Sequence, residues 1–416
     1  MSVIIPTRNR AESLRRALES IRAQQGRGDI FDLEIIVVDD ASSDDTPLIV
    51  RSQGDVHYIR LPERRGVAAA TNEALRNSHG CYLTFLDDDD EWLPHKLSVQ
   101  VPALNGHPEA EIVYGQSLIR SEGREGVYPD AETAPSGWVF LEMLMRNFAG
   151  HHASLLARRS AFEKAGYFDE TLMSNIDYEM SLRLAFHVRF LFVPGAVDIY
   201  NLSPRGLWLT RAASGMGRAD LARVIESALR LLPDSAQYDE VKRTARARAV
   251  LNAVYSLLSA GESAQARTTL VTALQSHPWA LRTNWARDTL AHAAGRLAVG
   301  STSPVSTTAQ LCAELRSKIP VRTLRGWWEL RRAFGLIWAS VALSLSDGGR
   351  SQDKQSAYAA VVAVGMTPSL LGRPGLLRLI VRGVLGRRAD AACAGLYARF
   401  RKFRTTRVFD GIRGQV

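Results

Sequence analysis

From Ser2 to about Asn201 the sequence alternates short apolar segments with longer segments of helical period. The segment "SVIIP" is typical of a buried strand, and Arg10 to Gln25 carries leucine and isoleucine at helical spacing. The same pair of patterns recurs through residues 34–77, and Cys81 to Leu86 has the pattern of a fourth strand. Strands and helices in alternation predict a mostly parallel sheet with helices on its faces.

Acidic residues directly follow two of the predicted strands. Asp39 and Asp40 end one β-branched run, and Asp87 to Asp90 follow "CYLTFL". Ligands of open parallel sheets bind beyond the carboxyl ends of the strands. Adjacent carboxylates repel one another unless a cation or a set of donors lies among them. The sequence therefore predicts an active site at this edge of the sheet.

The acidic run is compatible with several roles. A nucleotide-binding P-loop is excluded because no Gly-Lys pair occurs in the chain. A calcium loop counted from Asp87 needs glycine and glutamate where Trp92 and Ser98 stand. Two interpretations stay open. The acids cap a helix that begins near Pro94, or Asp87 and Asp89 form a DxD site that holds Mg²⁺ or Mn²⁺ against a diphosphate.

Length and composition predict a folded protein of two domains. The chain has 416 residues, of which 46% are hydrophobic and 23% charged, and domains usually span about 100 to 200 residues. Three dispersed cysteines predict neither a disulfide framework nor a paired-cysteine zinc site. The longest apolar stretch has 13 residues, whereas a spanning helix needs about 20. We expect a cytoplasmic protein, associated at most peripherally with the inner face of a membrane.

The sequence after about Gly217 has a helical pattern rich in Ala, Leu and Arg, and we expect a catalytic domain at 1–215 and a helical domain at 216–416. The segment at residues 247–281 resembles a single tetratricopeptide-like helical hairpin. The tail from Arg373 contains eleven Lys and Arg and two Asp. Its net charge of +9 equals the formal net charge of the whole chain. A docked helix with a basic face and a contact with anionic lipids both fit this tail, and we expect no nucleic-acid partner because no such motif is present.

Five motifs in order resemble glycosyltransferase family 2 and cover about half of the chain. Each is a weak signal alone, whereas five in register are strong. They are "SVIIPTRNR" from Ser2, "EIIVVDDASSDDT" from Glu34, "RRGVAAATNEAL" from Arg64, "YLTFLDDDDEWLPHKL" from Tyr82 and "AGYFDETLMSNIDYEMSLRL" from Ala165.

The resemblance implies a GT-A fold and inverting transfer of a sugar from a nucleoside diphosphate donor, with Mn²⁺ or Mg²⁺ as cofactor. We expect the sugar to be transferred to a hydroxyl of a glycan, a lipid-linked or another acceptor, in cell-surface polysaccharide or glycoconjugate synthesis. Asp177 corresponds to the general base, and Asp87 and Asp89 to the metal ligands. The positions that correspond to donor-binding residues are Pro6, Thr7, Asn9, Asp39, Asp40, Arg65, Asp87 and Asp88.

Two positions depart from the family pattern. Ile176 stands where the family usually has a glutamate, and no histidine follows the last predicted strand. His151 and His152 lie elsewhere, and a histidine pair in an apolar setting is more often structural than a ligand. A nucleotidyltransferase on a related fold and a non-catalytic sugar-nucleotide scaffold are the alternative functions.

Overall fold

A computed structural model describes residues 1–121, 124–201, 216–259, 262–276 and 308–314, together with a few positions between 334 and 363. The basic tail and the segment from 277 to 307 lie outside the described residues. The chain divides into two compact units, Met1–Arg246 and Ala247–Val416. The boundary at residue 215 stays a prediction.

Nine strands form one mixed sheet in the first unit. They are β1 (Ser2–Thr7), β2 (Glu34–Asp39), β3 (Val56–Arg60), β4 (Tyr82–Phe85), β5 (Glu91–Trp92), β6 (Ile112–Ser121), β7 (Arg124–Tyr128), β8 (Leu155–Arg158) and β9 (Phe190–Asn201). The order across the sheet is β3-β2-β1-β4-β8-β6-β9-β5, and β7 pairs with β6.

The sheet has a parallel part and a mixed part. Strands β1 to β4 are parallel neighbours, as the alternating pattern predicts. Beyond β4 the direction changes, because β8 pairs antiparallel with both β4 and β6. Strand β9 then runs parallel to β6, and the short β5 closes the edge antiparallel to β9.

Helices cover the sheet and continue into the second half of the chain. They are α1 (Ala11–Arg22), α2 (Thr46–Arg51), α3 (Val67–Arg76), α4 (Lys96–Gly106), α5 (Phe140–Met145), α6 (Arg159–Ala165), α7 (Ile176–His187), α8 (Met216–Leu229), α9 (Asp239–Ser259) and α10 (Ser263–Ser276). Among the residues that the structure describes, no helix is both long and apolar enough to cross a bilayer.

Helix α1 shows how the periodic pattern produces the core. Leu14, Leu18 and Ile21 recur at helical spacing, form one apolar face and are buried. This face joins a core cluster with Val3 and Ile5 of β1. Burying such a side chain contributes roughly 1.5 to 3 kcal/mol. Burial of this face therefore fixes α1 against the strand whose carboxyl end leads to the site.

A close backbone approach requires glycine at position 80, just before β4. A Cβ atom there would lie 2.5 Å from the Ser2 nitrogen and 2.6 Å from the Met1 carbonyl carbon. We expect Gly80→Ala to lower the free energy of unfolding by about 1 to 3 kcal/mol, since the backbone must shift. Gly54→Ala is the matched control because nothing lies within 4 Å of its Cβ position. Equal urea midpoints for the two variants would contradict this expectation.

Candidate active site

The acidic loop Asp87–Asp90 lies between β4 and β5, at the carboxyl end of β4. Asp88 and Asp90 are buried, whereas Asp87 and Asp89 are partly exposed. Because Leu86 donates its backbone N–H to Ile4 of β1 at 3.0 Å, the loop starts directly from the centre of the parallel part of the sheet.

Asp88 connects the acidic loop to the end of β1. Its Oδ2 accepts hydrogen bonds from the Thr7 hydroxyl at 2.7 Å and the Arg8 backbone N–H at 3.3 Å. The Arg10 guanidinium donates to Asp88 Oδ1 at 3.0 Å and also forms an ion pair with Asp89. Arg10 therefore neutralises part of the loop, and Thr7 and Asp88, both predicted to bind the donor, contact each other directly.

A second group of side chains surrounds Asp90. His151 Nδ1 lies 3.5 Å from Asp90 Oδ2, and His151 Nε2 lies 2.9 Å from Asp198 Oδ2. The Ser117 hydroxyl donates to Asp198 Oδ1 at 3.0 Å. The Asn201 backbone N–H donates to Asp90 Oδ1 at 2.8 Å. The acidic loop is thus held between β9 and the segment that precedes β8.

Asp177, the predicted general base, lies in the first turn of α7, and its side chain is 43% exposed. Its charge interacts with Asp87, so the fold brings these two predicted site residues together. His152 Nδ1 lies 3.5 Å from Asp177 Oδ1, and His152 Nε2 lies 3.0 Å from the Ser181 hydroxyl oxygen. Asp177 is therefore a solvent-accessible carboxylate at the rim of a buried acidic cluster.

The loop before α7 is fixed by α8. Asp220 of α8 accepts hydrogen bonds from the backbone N–H groups of Met173 and Ser174, both at 2.8 Å. The Asn175 side chain donates to the Gly217 carbonyl oxygen at 2.9 Å, and Asn175 adopts a left-handed conformation with φ of 56°. These bonds determine where α7 begins and hence where Asp177 lies.

The acids at the end of β2 receive hydrogen bonds from the protein itself. Asp39 Oδ2 accepts from the Tyr58 hydroxyl at 2.7 Å, and Asp39 Oδ1 accepts from the Ser42 backbone N–H at 2.7 Å. The two Asp40 oxygens accept from the backbone N–H groups of Arg65 and Gly66 at 2.5 and 2.9 Å. Asp40 therefore fixes the start of α3.

The other predicted donor-binding residues lie around the same strand ends. Pro6 belongs to β1, and Asn9 follows it with φ of 53°. The Asn9 side-chain oxygen accepts a hydrogen bond from the Ser43 backbone N–H at 2.7 Å. The Arg65 guanidinium forms an ion pair with Glu170 at 3.0 Å. Binding of the donor by these residues stays a prediction.

Burial and mutual repulsion change the acidities of the cluster. Burial, followed by the charges of Asp177 and Asp89, raises the pKa of Asp87 to about 8. Burial likewise raises the pKa of Asp88 to about 6 and the pKa of Asp90 well above its ordinary value. These acids hold protons tightly, which is the behaviour of carboxylates that lack sufficient positive charge nearby.

The histidines of the pair differ in their electrostatic surroundings. Burial alone would lower the pKa of His151, but the carboxylates of Asp198 and Asp90 outweigh it and raise the pKa to about 10. Burial lowers the pKa of His152, against the opposing charge of Asp177. His151 is therefore the histidine that the acidic cluster holds electrostatically.

Sequence reasoning did not assign His151 or Asp198 to the site. His151 precedes a short 3₁₀ turn in an irregular segment, and Asp198 lies inside an apolar strand. The sequence contains one signal that could have indicated Asp198, namely its position within the apolar sequence of β9. An isolated carboxylate in an apolar strand requires a partner. Asp87, Asp90 and His151 offer three potential metal-ligand atoms within 4.8 Å of one another.

Comparisons with known proteins identify the class to which this fold belongs. The model of the family "Glycosyl transferase family 2" matches residues 2–165. A relative from Campylobacter jejuni, GalNAc(5)-diNAcBac-PP-undecaprenol beta-1,3-glucosyltransferase, is 31% identical over 62% of this chain and 83% of its own length. An uncharacterised glycosyltransferase of Rickettsia prowazekii is 32% identical over 43% of this chain and 57% of its own length.

A solved structure of S. aureus TarS 1-349 in complex with UDP-GlcNAc is 16% identical, with a TM-score of 0.49 over 83% of this chain and 91% of that chain. The fold and the relatives define a glycosyltransferase with the GT-A fold. The chain belongs to glycosyltransferase family 2. The predicted fold class and enzyme class are thereby confirmed.

Proposed function

We propose that the protein transfers a sugar from a nucleoside diphosphate donor to a hydroxyl of a lipid-linked or glycan acceptor, with inversion at the anomeric carbon and with Mn²⁺ or Mg²⁺. The observation that carries this proposal is the position of Asp177. It is an accessible carboxylate at the rim of a partly buried acidic loop, in which the pKa values of Asp87, Asp88 and Asp90 are raised. The rim can receive an acceptor hydroxyl, and the loop can face a diphosphate.

Asp177 would accept the proton of the acceptor hydroxyl. Inverting transfer needs a carboxylate on the face opposite the leaving group, and a positioned base contributes about 10² to 10⁴ in rate. His152 restricts the carboxylate from one side, since its Nδ1 lies 3.5 Å from Asp177 Oδ1. Its lowered pKa favours the neutral imidazole, so the Asp177 carboxylate is not neutralised by this neighbour.

The acidic loop fits a divalent cation. Asp87 and Asp89 are the predicted ligands, and the buried oxygen Asp90 Oδ2 has no hydrogen-bond partner among the described residues. A cation bound there would supply Lewis-acid stabilisation of the departing diphosphate. Hard oxygen ligands suit Mg²⁺ and Mn²⁺, which usually bind through one or two carboxylates and substrate phosphates. Arg10 contributes a fixed positive charge beside the same loop.

The lipid-linked acceptor is supported by the C. jejuni relative, whose name specifies an undecaprenol-linked substrate. Such an acceptor would bring the enzyme to a membrane surface. The basic tail from Arg373, which lies outside the described residues, has the composition to favour anionic lipids, since each basic residue near such a surface contributes about 1 kcal/mol. We therefore propose peripheral association with the inner face of the membrane.

A donor screen tests the proposed function. UDP-glucose, UDP-N-acetylglucosamine and GDP-mannose are each incubated with the full chain, Mn²⁺ and a short lipid-linked saccharide, and release of nucleoside diphosphate is measured. We expect one donor to be consumed in an acceptor-dependent manner, and excess EDTA to reduce the rate at least about a hundredfold, because the cation stabilises several kcal/mol of developing charge. A rate unaffected by EDTA would contradict the metal-dependent mechanism.

A further inference from the structure

His151 presents one ring nitrogen toward the acidic loop and the other toward a fixed acceptor. Its Nε2 lies 2.9 Å from Asp198 Oδ2, and its side chain is 10% exposed. An imidazole that binds a cation has given up one of its two N–H protons to make room for it, so it then has one N–H donor and one nitrogen with a lone pair. The Ser117 hydroxyl oxygen lies 3.2 Å from Nε2 and gives its own proton to Asp198, so it can accept from Nε2. Together with the nearby Asp198 carboxylate, it retains the N–H on Nε2. The lone pair is then on Nδ1.

The Nδ1 atom faces a buried oxygen that is also without a hydrogen bond. Asp90 Oδ2 lies 3.5 Å from His151 Nδ1, and neither atom has a hydrogen-bond partner within the described part of the chain. Asp90 cannot easily turn away, because Oδ1 accepts from the Asn201 backbone N–H at 2.8 Å. Leaving two such polar atoms buried and unpaired costs free energy. A shared ligand between them would remove that cost.

We propose that His151 Nδ1, Asp90 Oδ2 and an oxygen of Asp87 are ligands of the divalent cation, and that Asp198 orients His151 for this role. This proposal rests on the proposed function, because the cation is the same Mn²⁺ or Mg²⁺ that the proposed sugar transfer uses. It adds a nitrogen ligand and Asp90 to the predicted pair of Asp87 and Asp89. A carboxylate that holds the second nitrogen of a metal-bound histidine is a recurrent arrangement in metal sites.

The spacing of the three atoms suits a first-row divalent ion. Metal–ligand bonds of about 2.0 to 2.2 Å put two ligands on opposite sides of an ion about 4.2 Å apart. The three atoms lie within 4.8 Å of one another, so small side-chain rotations bring them to bonding distance. Octahedral coordination has six positions, which leaves room for Asp89, diphosphate oxygens and water. Since imidazole suits transition metals, Mn²⁺ should bind more tightly than Mg²⁺.

The competing explanation is a purely structural ion pair, in which His151 joins Asp198 and Asp90 and binds no cation. The two explanations differ in a spectroscopic observable. Mn²⁺ coordinated by an imidazole shows ¹⁴N modulation in pulsed electron paramagnetic resonance. Mn²⁺ bound only through carboxylates and water shows no such directly coordinated nitrogen.

The test is a titration of the full chain with Mn²⁺ alone, followed by pulsed electron paramagnetic resonance. We expect saturable binding with ¹⁴N modulation in the wild type. His151→Gln should lose the modulation and bind Mn²⁺ at least about tenfold more weakly, and Asp198→Asn should weaken binding by about 10- to 100-fold. His107→Gln is the control, because this histidine is exposed and pairs with Glu109.

Bound Mn²⁺ without nitrogen modulation, or no saturable binding in the wild type, would overturn the proposal. Should His151→Gln fail to fold, unchanged Mn²⁺ affinity in folded Asp198→Asn would overturn it equally. Transfer assays on the same samples separate this proposal from the proposed function. Nitrogen-coordinated Mn²⁺ in a protein that consumes no donor would support the proposed ligands and contradict the proposed function. EDTA-sensitive transfer without nitrogen modulation would support the proposed function and contradict the proposed ligands.

Discussion

Asp177→Asn should reduce the rate of sugar transfer at saturating donor by at least about a hundredfold while nucleotide affinity is retained. The substitution preserves the shape of the side chain and removes its ability to accept a proton, and a positioned base contributes about 10² to 10⁴. Donor affinity should survive because the residue lies at the accessible rim of the site, with a side chain that is 43% exposed. Single-turnover assays and calorimetric titration with UDP measure the two quantities separately.

Glu179 provides the matched control, since it is an acid in the same turn of α7. Both of its carboxylate oxygens accept hydrogen bonds from the Arg183 guanidinium, at 2.6 Å each. Arg183 also donates to the Tyr167 carbonyl oxygen at 2.8 Å. Glu179 is therefore committed to holding the chain before α7, and Glu179→Gln should change the transfer rate by only a few fold.

A folded Glu179→Gln variant that is inactive, beside an active Asp177→Asn variant, would contradict the assignment of the base. It would mean that the correspondence with the family motif is displaced by two residues. Circular dichroism and thermal unfolding of both variants are needed, because the Arg183 contacts also stabilise the fold.

Asp87→Asn should reduce nucleotide affinity in the presence of Mn²⁺ to the metal-free value, a loss of roughly a hundredfold if the cation contributes about 3 kcal/mol. Asp87 is common to the predicted DxD pair and to the cluster with Asp90 and His151. Removing one carboxylate from a group of like charges should cost little stability. UDP titrations with Mn²⁺ and with EDTA measure the effect.

Glu91→Gln is the control for this experiment. Glu91 is an acid of the same segment, but it lies in β5, and its side chain accepts a weak hydrogen bond from the Asn201 amide at 3.4 Å. The Mn²⁺ dependence of UDP binding should be unchanged in this variant. If Asp87→Asn retains Mn²⁺-dependent affinity, Asp87 is not a metal ligand, and both the predicted pair and the proposed cluster are wrong.

The sequence predicted the parallel part of the fold well because its determinants are local. Apolar runs such as Ile35–Val38 are buried on both faces, and β1, β2 and β3 are each followed by a helix. The acids that end β2 and β4 were therefore placed at one edge correctly. The carboxyl ends of neighbouring parallel strands meet there whatever the rest of the chain does.

The mixed part of the sheet could not be predicted because its pairings join distant segments. Strand β8 lies between β4 and β6, although it follows β6 by more than thirty residues. His151 and Asp90 are 61 residues apart in the sequence, and this strand order brings them into contact. Its neighbours in the sequence give no sign of that contact, and the same holds for Asp198 in β9.

The hydrogen bonds between α8 and the loop before α7 bear on how the enzyme can be divided. A fragment that ends at residue 215 would lack Asp220, so the backbone N–H groups of Met173 and Ser174 would lose their acceptor. It would also lack the Gly217 carbonyl oxygen that receives the Asn175 amide. Such a fragment could keep its sheet and still release the turn that carries Asp177. Any exchange of the helical region between enzymes of this kind should therefore be joined after Leu229, so that the host keeps its own α8.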